Sequence, residues 1–245
     1  MYHIKICHLY PDRLYAYGDT GNLTILTKRM EWRGHSVSID SVTTGEHLDP
    51  SDYDIIFIGD GDTSDFLEVI SDFNETKAPA LNLAIAQNKV ILGIGHGFHL
   101  LGSFYETAHM KKIPLSGLLP FTIHNDHKRC HGDMILQREN GRILTGFENH
   151  RTMIRRDESL PPFGYLLHSA KDLDTKKAEG IHYKNTFGTH LHGPLLADNP
   201  AFADEILTLA LQNKHTQIQL SPLDDSLEHQ AHQILCDRYH ISADI

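Results

Sequence analysis

The chain has 245 residues, 40% hydrophobic and 22% charged, which suits one α/β domain with a small appendage. Its formal net charge of −10 argues against a non-specific nucleic-acid binder. No apolar stretch approaches the roughly 20 residues of a membrane span.

Residues 3–9, "HIKICHL", read as a first strand rather than a secretory leader, because a basic start and a long apolar core are missing. Residues 21–34 carry Leu23, Leu26 and Met30 at helical spacing and stop at Gly34. A short strand follows at 36–39, then a buried one at 53–59, "YDIIFIG", running into "GDGDTSDF". The acidic run Asp60, Asp62 and Asp65 fits a solvated loop or a helix start, with Asp62 and Ser64 placed as caps. Residues 78–89 read as a helix and 90–94 as the next strand. Such alternation builds a mostly parallel sheet covered on both faces, with sites beyond the carboxyl ends of its strands. The "GDGD" and "GIGHGFH" turns both lie at such ends and become spatial neighbours. The apolar residues Phe98, Leu100 and Leu101 predict a helix after the second turn.

Beyond residue 113 the pattern changes to short antiparallel strands, and residues 179–196 alternate as a hairpin that puts His190 and His192 on one face. A helix is expected over Pro200–Gln212. After a linker-like "QNKHTQIQ", Leu223, Leu227, Ala231, Ile234 and Leu235 form the apolar stripe of an amphipathic helix. The expected organisation is one domain over residues 1–212 and a linker with a helical extension over 213–245. Three cysteines (Cys7, Cys130 and Cys236) are odd in number, far apart and in no C-x-x-C pair, so a reducing, cytoplasmic setting fits better than a disulfide framework. Nineteen histidines stand against 22 Lys plus Arg. Most fit a solvated surface, although His99, His124, His127, His131, His190 and His192 could line a pocket suited to Zn²⁺, Ni²⁺ or Cu²⁺.

The turn at residues 93–99 is a tight strand-to-helix elbow, a shape that lifts a nucleophile and aims helix N–H groups at a developing oxyanion. Its apex is Gly95, with no side chain; taken alone it reads as a turn glycine with positive φ. In full, Gly93-Ile94-Gly95-His96-Gly97-Phe98-His99 resembles the elbow of class I, triad-type glutamine amidotransferases, Gly-hydrophobic-Cys-x-Gly-x-Gln. The order and spacing of "YGDTGNL" (17–23), "FIGDGD" (57–62), "TGFENH" (145–150) and "EGIHYKNTFGTHLHGP" (179–194) are similar to the GatD-type subunits of lipid II isoglutaminyl synthase, in the cobyric-acid-synthase-like branch.

The resemblance implies an α/β fold, a three-layer, flavodoxin-like sheet flanked by helices, with an antiparallel β extension and a C-terminal helix. It implies a cofactor-free glutaminase subunit paired with a MurT-type, Mur-ligase-like protein, which uses the ammonia to amidate the D-glutamate of a peptidoglycan precursor. A Cys thiolate attacks the glutamine amide, a His shuttles the proton and backbone N–H groups hold the oxyanion. By the same resemblance His192 matches the general base and Gly95 the nucleophile's position. Gly59 and Gly61 match the oxyanion turn, His96 follows the apex, His99 stands at the substrate-side Gln, and Arg129 lies near the substrate. No metal is implied.

Three departures touch that chemistry: Gly95 replaces the Cys, His99 replaces the Gln, and Asp60 replaces a usual Gly. Loss of a triad nucleophile lowers the rate on the order of a million-fold, about 8 kcal/mol. Cys130 follows Arg129 but is off the elbow, where placement within about an ångström is required. The expectation is a pseudo-glutaminase; no turnover by the native chain with partial rescue by Gly95→Cys would mean an intact cleft lacking only its nucleophile. The alternatives are an active glutaminase subunit using altered chemistry, a His-rich metal- or ligand-binding protein reusing the cleft, and a plain structural module.

Overall fold

The computed structural model describes residues 1–170, 177–215 and 217–242; residue 216 of the expected linker and 243–245 of the expected extension lie outside the described residues. The first half alternates β1 (His3–Leu9), α1 (Thr20–Glu31), β2 (Ser36–Val42), β3 (Ile55–Ile58), α2 (Thr63–Asp72), α3 (Ala78–Ala86) and β4 (Val90–Ile94). Then come α4 (His96–His99), β5 (Phe104–Glu106), β6 (Lys112–Pro114), β7 (Phe121–Gln137) and β8 (Ile143–Arg156). The chain continues with β9 (Gly164–His168), β10 (Ala178–Glu179), β11 (Ile181–Tyr183), β12 (Thr186–Thr189), α5 (Leu195–Asp198), α6 (Pro200–Gln212) and α7 (Ser226–Arg238).

One sheet has the order β11-β12-β4-β3-β1-β2, parallel throughout except for the β11–β12 hairpin. Its central strands are apolar at every position because both faces are covered. Ile55 and Phe57 of β3 face Leu23, Leu26 and Met30 of α1 and Phe202, Ile206 and Leu207 of α6. Ile56 and Ile58 face the other way, onto Phe66 and Val69 of α2 and Leu81 and Ala84 of α3. This period-two division produces the three-layer α/β sandwich. β3 and β4 pair in parallel with Ile58 opposite Gly93, so the two glycine-rich turns leave the sheet side by side.

The second sheet, β10-β9-β7-β5-β6 with β8 on β7, forms the extension, antiparallel except where β5 pairs in parallel with β7. Strands β5, β6, β9 and β10 are short, but β7 and β8 are not: they have 17 and 14 residues, with a break in register between Asn125 and Cys130. Other expectations also need correction. The helix after the elbow is a single turn, α4, because the chain swings at once into β5. β2 runs on to Val42, paired along its length with β1. On α7 the expected stripe is not the buried side: Ala231 is exposed, Leu227 and Ile234 are 75% and 63% exposed, and Leu223 precedes the helix. Its buried side is made by His232 and Cys236, the latter against Ile135 and Ile143. Among the described residues no helix is long and apolar enough to cross a membrane.

The C-terminal segment is anchored by charge as well as packing. The buried Arg29 guanidinium of α1 donates to Asp204 of α6 (2.7 and 2.9 Å) and to Asp225 at the start of α7 (2.6 and 2.9 Å). Arg33 adds bonds to Asp204 and to the Ser221 carbonyl. Removing one partner of a buried ion pair strands the other charges; with the carboxylates partly hydrated here, Arg29→Leu is expected to destabilise the fold by about 2–4 kcal/mol. Denaturant unfolding reads the loss, and limited proteolysis should cut the 217–225 segment before the rest; an unchanged midpoint and unchanged cutting would disprove the anchor.

Candidate active site

β4 ends at Ile94 and the chain reverses through Gly95, whose φ of 54° and ψ of −120° strain any residue with a side chain. The Gly95 N–H donates to the Thr189 carbonyl at the end of β12 (2.9 Å), which fixes the elbow to its neighbouring strand. Gly97 lets α4 lie against the end of β3: a Cβ there would come within 2.6 Å of the Gly59 carbonyl oxygen.

The space above Gly95 is filled. An ideal Cβ at Gly95 would overlap the Asp60 carboxyl carbon and lie 2.6 Å from Oδ1. That same Oδ1 accepts the N–H of Gly61 and the N–H of His96, each at 2.8 Å. These two N–H groups flank the elbow as an oxyanion hole would, and they are held by an anion from the chain itself. The His96 ring reinforces the bond, its Nδ1 lying 2.6 Å from Oδ1. Asp60 is positioned in turn by Asp19, whose buried carboxylate accepts the Asp60 N–H at 3.1 Å. Burial pushes the Asp60 carboxyl up, but His96, His192 and the His96 N–H together hold it well below the usual range.

His192 is buried between the two carboxylates, with Nδ1 3.3 Å from Asp19 Oδ1 and Nε2 3.4 Å from Asp60 Oδ2. Burial opposes its charge, yet the Asp19 bond and the fields of both acids raise it above an ordinary histidine. The Nε2 that a triad would offer to a thiol lies near the Asp60 carboxylate without hydrogen-bonding to it and has no partner among the described residues.

A second group lies beside it. His190 is past the end of β12, not on the strand, so it and His192 part ways instead of sharing one strand face. Glu179 Oε1 accepts the His190 N–H at 2.9 Å and lies at the same distance from Nδ1. With Nδ1 protonated, His190 Nε2 is an acceptor, and His99 Nε2, 2.9 Å away, donates to it. The bare Nδ1 of His99 is then a buried acceptor without a partner among the described residues. Burial, with histidine neighbours adding to it, lowers both His99 and His190 well below the ordinary value. The His150 ring stacks on His190 with centroids 4.0 Å apart. These groups border a cleft of about 260 Å³ that Tyr17, Asp60, His96 and Arg129 also line. Arg129 is exposed, its Nε donating to Asn149 (2.8 Å).

With this geometry described, comparison with known proteins becomes informative. Residues 5–200 match the CobB/CobQ-like glutamine amidotransferase domain. The chain belongs to that family. It is 35% identical over 232 residues to the GatD subunit of lipid II isoglutaminyl synthase (glutamine-hydrolyzing) from Streptococcus pneumoniae, covering 92% of this chain and 88% of that one. It is 31% identical over 238 residues to the GatD subunit of the same name from Staphylococcus aureus, covering 97% of both. Among solved structures, the glutaminase domain of Trypanosoma brucei CTPS superposes with a TM-score of 0.56 at 12% identity, covering 89% of this chain and 96% of that one, a likeness of fold alone.

Within this family member, the structure places Gly61, Gly95, His96, His99 and Arg129 in the lining of one cleft, whereas His192 is buried behind Asp60 and Gly59 is not in the lining. His124 is elsewhere, between Glu106 and Thr122, and His131 packs on Phe147 while His127 is exposed, so the six-histidine pocket does not form. Asp62 is at the N-cap of α2, but its side chain makes no capping bond. At Gly95, where the resemblance puts a nucleophile, the space a side chain would need is occupied by the Asp60 carboxyl group. Sequence reasoning also passed over Asp19, Glu148, His150 and Glu179. All four are inside motifs quoted for the resemblance, and the signal was a carboxylate sharing a motif set with a histidine.

His99 and His190 stay neutral when folded, whereas unfolded they take up protons below pH about 6.5. Their contribution is therefore present above that pH and lost as pH falls; His8, His168, His182 and His232, also lowered, act in the same sense, whereas His192 and His150, both shifted upward, act in the opposite one. The denaturation midpoint is expected to drop between about pH 7.5 and 5.5, and His99→Gln should make the drop shallower. Identical pH profiles for both proteins would refute this account.

Proposed function

We propose that this chain is the GatD-type subunit of a lipid II-amidating complex and that it does not itself hydrolyse glutamine. The relatives are named as the GatD subunit of lipid II isoglutaminyl synthase, which supports a role in amidating the D-glutamate of a peptidoglycan precursor beside a MurT-type, Mur-ligase-like partner. The observation that carries the non-hydrolytic reading is the Asp60 carboxylate. It fills the volume of the missing nucleophile and takes both N–H groups that would stabilise an oxyanion. A tetrahedral intermediate needs those donors for its own developing charge, and removing one such donor slows comparable enzymes about 100- to 1,000-fold.

In this reading His192 keeps the general-base position without a proton to take from a thiol, and Arg129 keeps the substrate-side position. The subunit serves its ligase by docking, or by binding glutamine uncleaved, while the ligase draws on free ammonia. Residues 1–212 form the amidotransferase-like domain and 213–245 its extension. The three free, buried cysteines favour a reducing cytoplasm.

The test is ammonia and glutamate release from glutamine by the chain co-purified with its Mur-ligase-like partner. The native complex should show no turnover above buffer. Gly95→Cys alone should stay inactive, because its Cβ meets the Asp60 carboxyl group. The pair Asp60→Gly with Gly95→Cys should exceed the single variant by at least about tenfold, since it restores both thiol and free donors. Glutamine turnover by the native complex, abolished by a thiol-blocking reagent, would overturn the reading.

A further inference from the structure

The antiparallel extension holds a cluster that the amidotransferase reading leaves unused. Cys130 of β7 lies directly opposite His150 of β8, and Glu148 is two residues before His150 on the same strand. Side chains two apart on a strand share a face, so thiol, imidazole and carboxylate converge on one side of a two-stranded platform. One donor atom from each lies within 4.8 Å of the others, and Cys130 Sγ is hydrogen-bonded to the His150 ring. Cys130 and Glu148 are 2% and 1% exposed, while His150 is partly exposed and lines the cleft.

We propose that Cys130, His150 and Glu148 form a binding site for a borderline divalent cation of the Zn²⁺ class. The donor set is one soft thiolate, one imidazole and one carboxylate, a combination that suits Zn²⁺ and disfavours Mg²⁺ or Ca²⁺. Tetrahedral Zn²⁺ with bonds of about 2.0–2.3 Å sets its donors roughly 3.3–3.7 Å apart. Glu148 Oε2 and His150 Nε2 are already 3.2 Å apart, so a small closing movement of Cys130 completes the triangle.

The supports behind the donors are also in place. Glu148 Oε1 accepts from the Ser169 hydroxyl (2.6 Å) and the Ala170 N–H (2.7 Å), which leaves Oε2 for the cation. His150 Nδ1 is 3.1 Å from the Thr152 carbonyl oxygen and 3.3 Å from the Thr152 N–H, so it can donate to the one or accept from the other; the tautomer that binds a cation is the one protonated at Nδ1, which leaves the Nε2 lone pair free. Such outer hydrogen bonds fix the tautomer and carboxylate of a metal site. Opposite Glu148 is Gly132, so no side chain on β7 crowds the carboxylate from across the ladder. As the cation binds, the Cys130 thiol proton and any proton on His150 Nε2 leave to solvent, and the two anionic donors balance the charge. The fourth position faces the cleft, open to water or to a small carboxylate.

Titration of the full-length, chelator-treated chain with Co²⁺ tests the site, read by absorption, with Zn²⁺ then competing. One equivalent of Co²⁺ should bind and give a thiolate-to-cobalt charge-transfer band that Zn²⁺ abolishes. Cys130→Ser should lose the band, and Glu148→Gln should keep it with affinity weakened at least about tenfold. Circular dichroism and thermal melts check that each variant folds, and Zn²⁺ should raise the melting temperature of the unmodified chain most, that of Glu148→Gln less and that of Cys130→Ser least. No stoichiometric binding, binding without the band, or a band that survives Cys130→Ser in a folded variant would each overturn the proposal. Should Cys130→Ser not fold, unweakened binding by Glu148→Gln overturns it by itself.

Discussion

A single oxygen, Oδ1 of Asp60, accepts two backbone N–H groups from two different turns, and the rest of the cleft is arranged around that bond. The parallel pairing of β3 with β4 brings the turns together, and the short α4 points its first N–H outward. An ionised carboxylate buried without partners would be prohibitively unfavourable; this one has two N–H donors, the His96 ring, and His192 close by. Hydrogen bonds to charged groups contribute about 1.5–3 kcal/mol each, so the turn is held more firmly than by neutral contacts. Anion recognition is therefore retained at the elbow, with the anion supplied by the protein.

The histidines divide by what faces them. His192 looks at two carboxylates and gains protons readily; His99 looks at His190 and apolar rings, and His190, although its Nδ1 faces Glu179, is so deeply buried among other histidines that both stay neutral. Two neighbouring groups with opposite preferences occur where environments, not residue types, set the chemistry. His150, stacked on His190, joins the charged side: Cys130 and Glu148 outweigh its burial and raise it to about 9.

Much of the fold was legible from the chain. Uninterrupted apolar runs such as "IIFI" marked strands covered on both faces, and glycines at their ends marked the turns. The long β7–β8 ladder was harder to read, because its polar, histidine-rich face breaks the alternation and a bulge at 126–129 interrupts it. α7 misled because Leu227 and Ile234 are at helical spacing, yet the docking side was chosen by the Arg29–Asp225 bridge and the small Cys236. The site was legible as a set of motifs but not as contacts. Asp60 was visible as a charge near an oxyanion hole; that its carboxyl group would occupy the vacated space depends on a rotamer that no spacing encodes. Asp19 pairs with His192 across 173 positions of sequence, beyond any local pattern.

The geometry at Gly95 also couples two positions of the chain. With a side chain at position 95, the observed Asp60 conformer has no room; with glycine there, the positive φ carries no strain and the anion can settle onto its two donors. A change at either position is therefore felt at the other: a side chain added at 95 has to displace the Asp60 carboxyl group, and removing that group leaves the Gly61 and His96 N–H groups without their acceptor. The two positions behave as one unit, whose paired substitution is not the sum of its single ones.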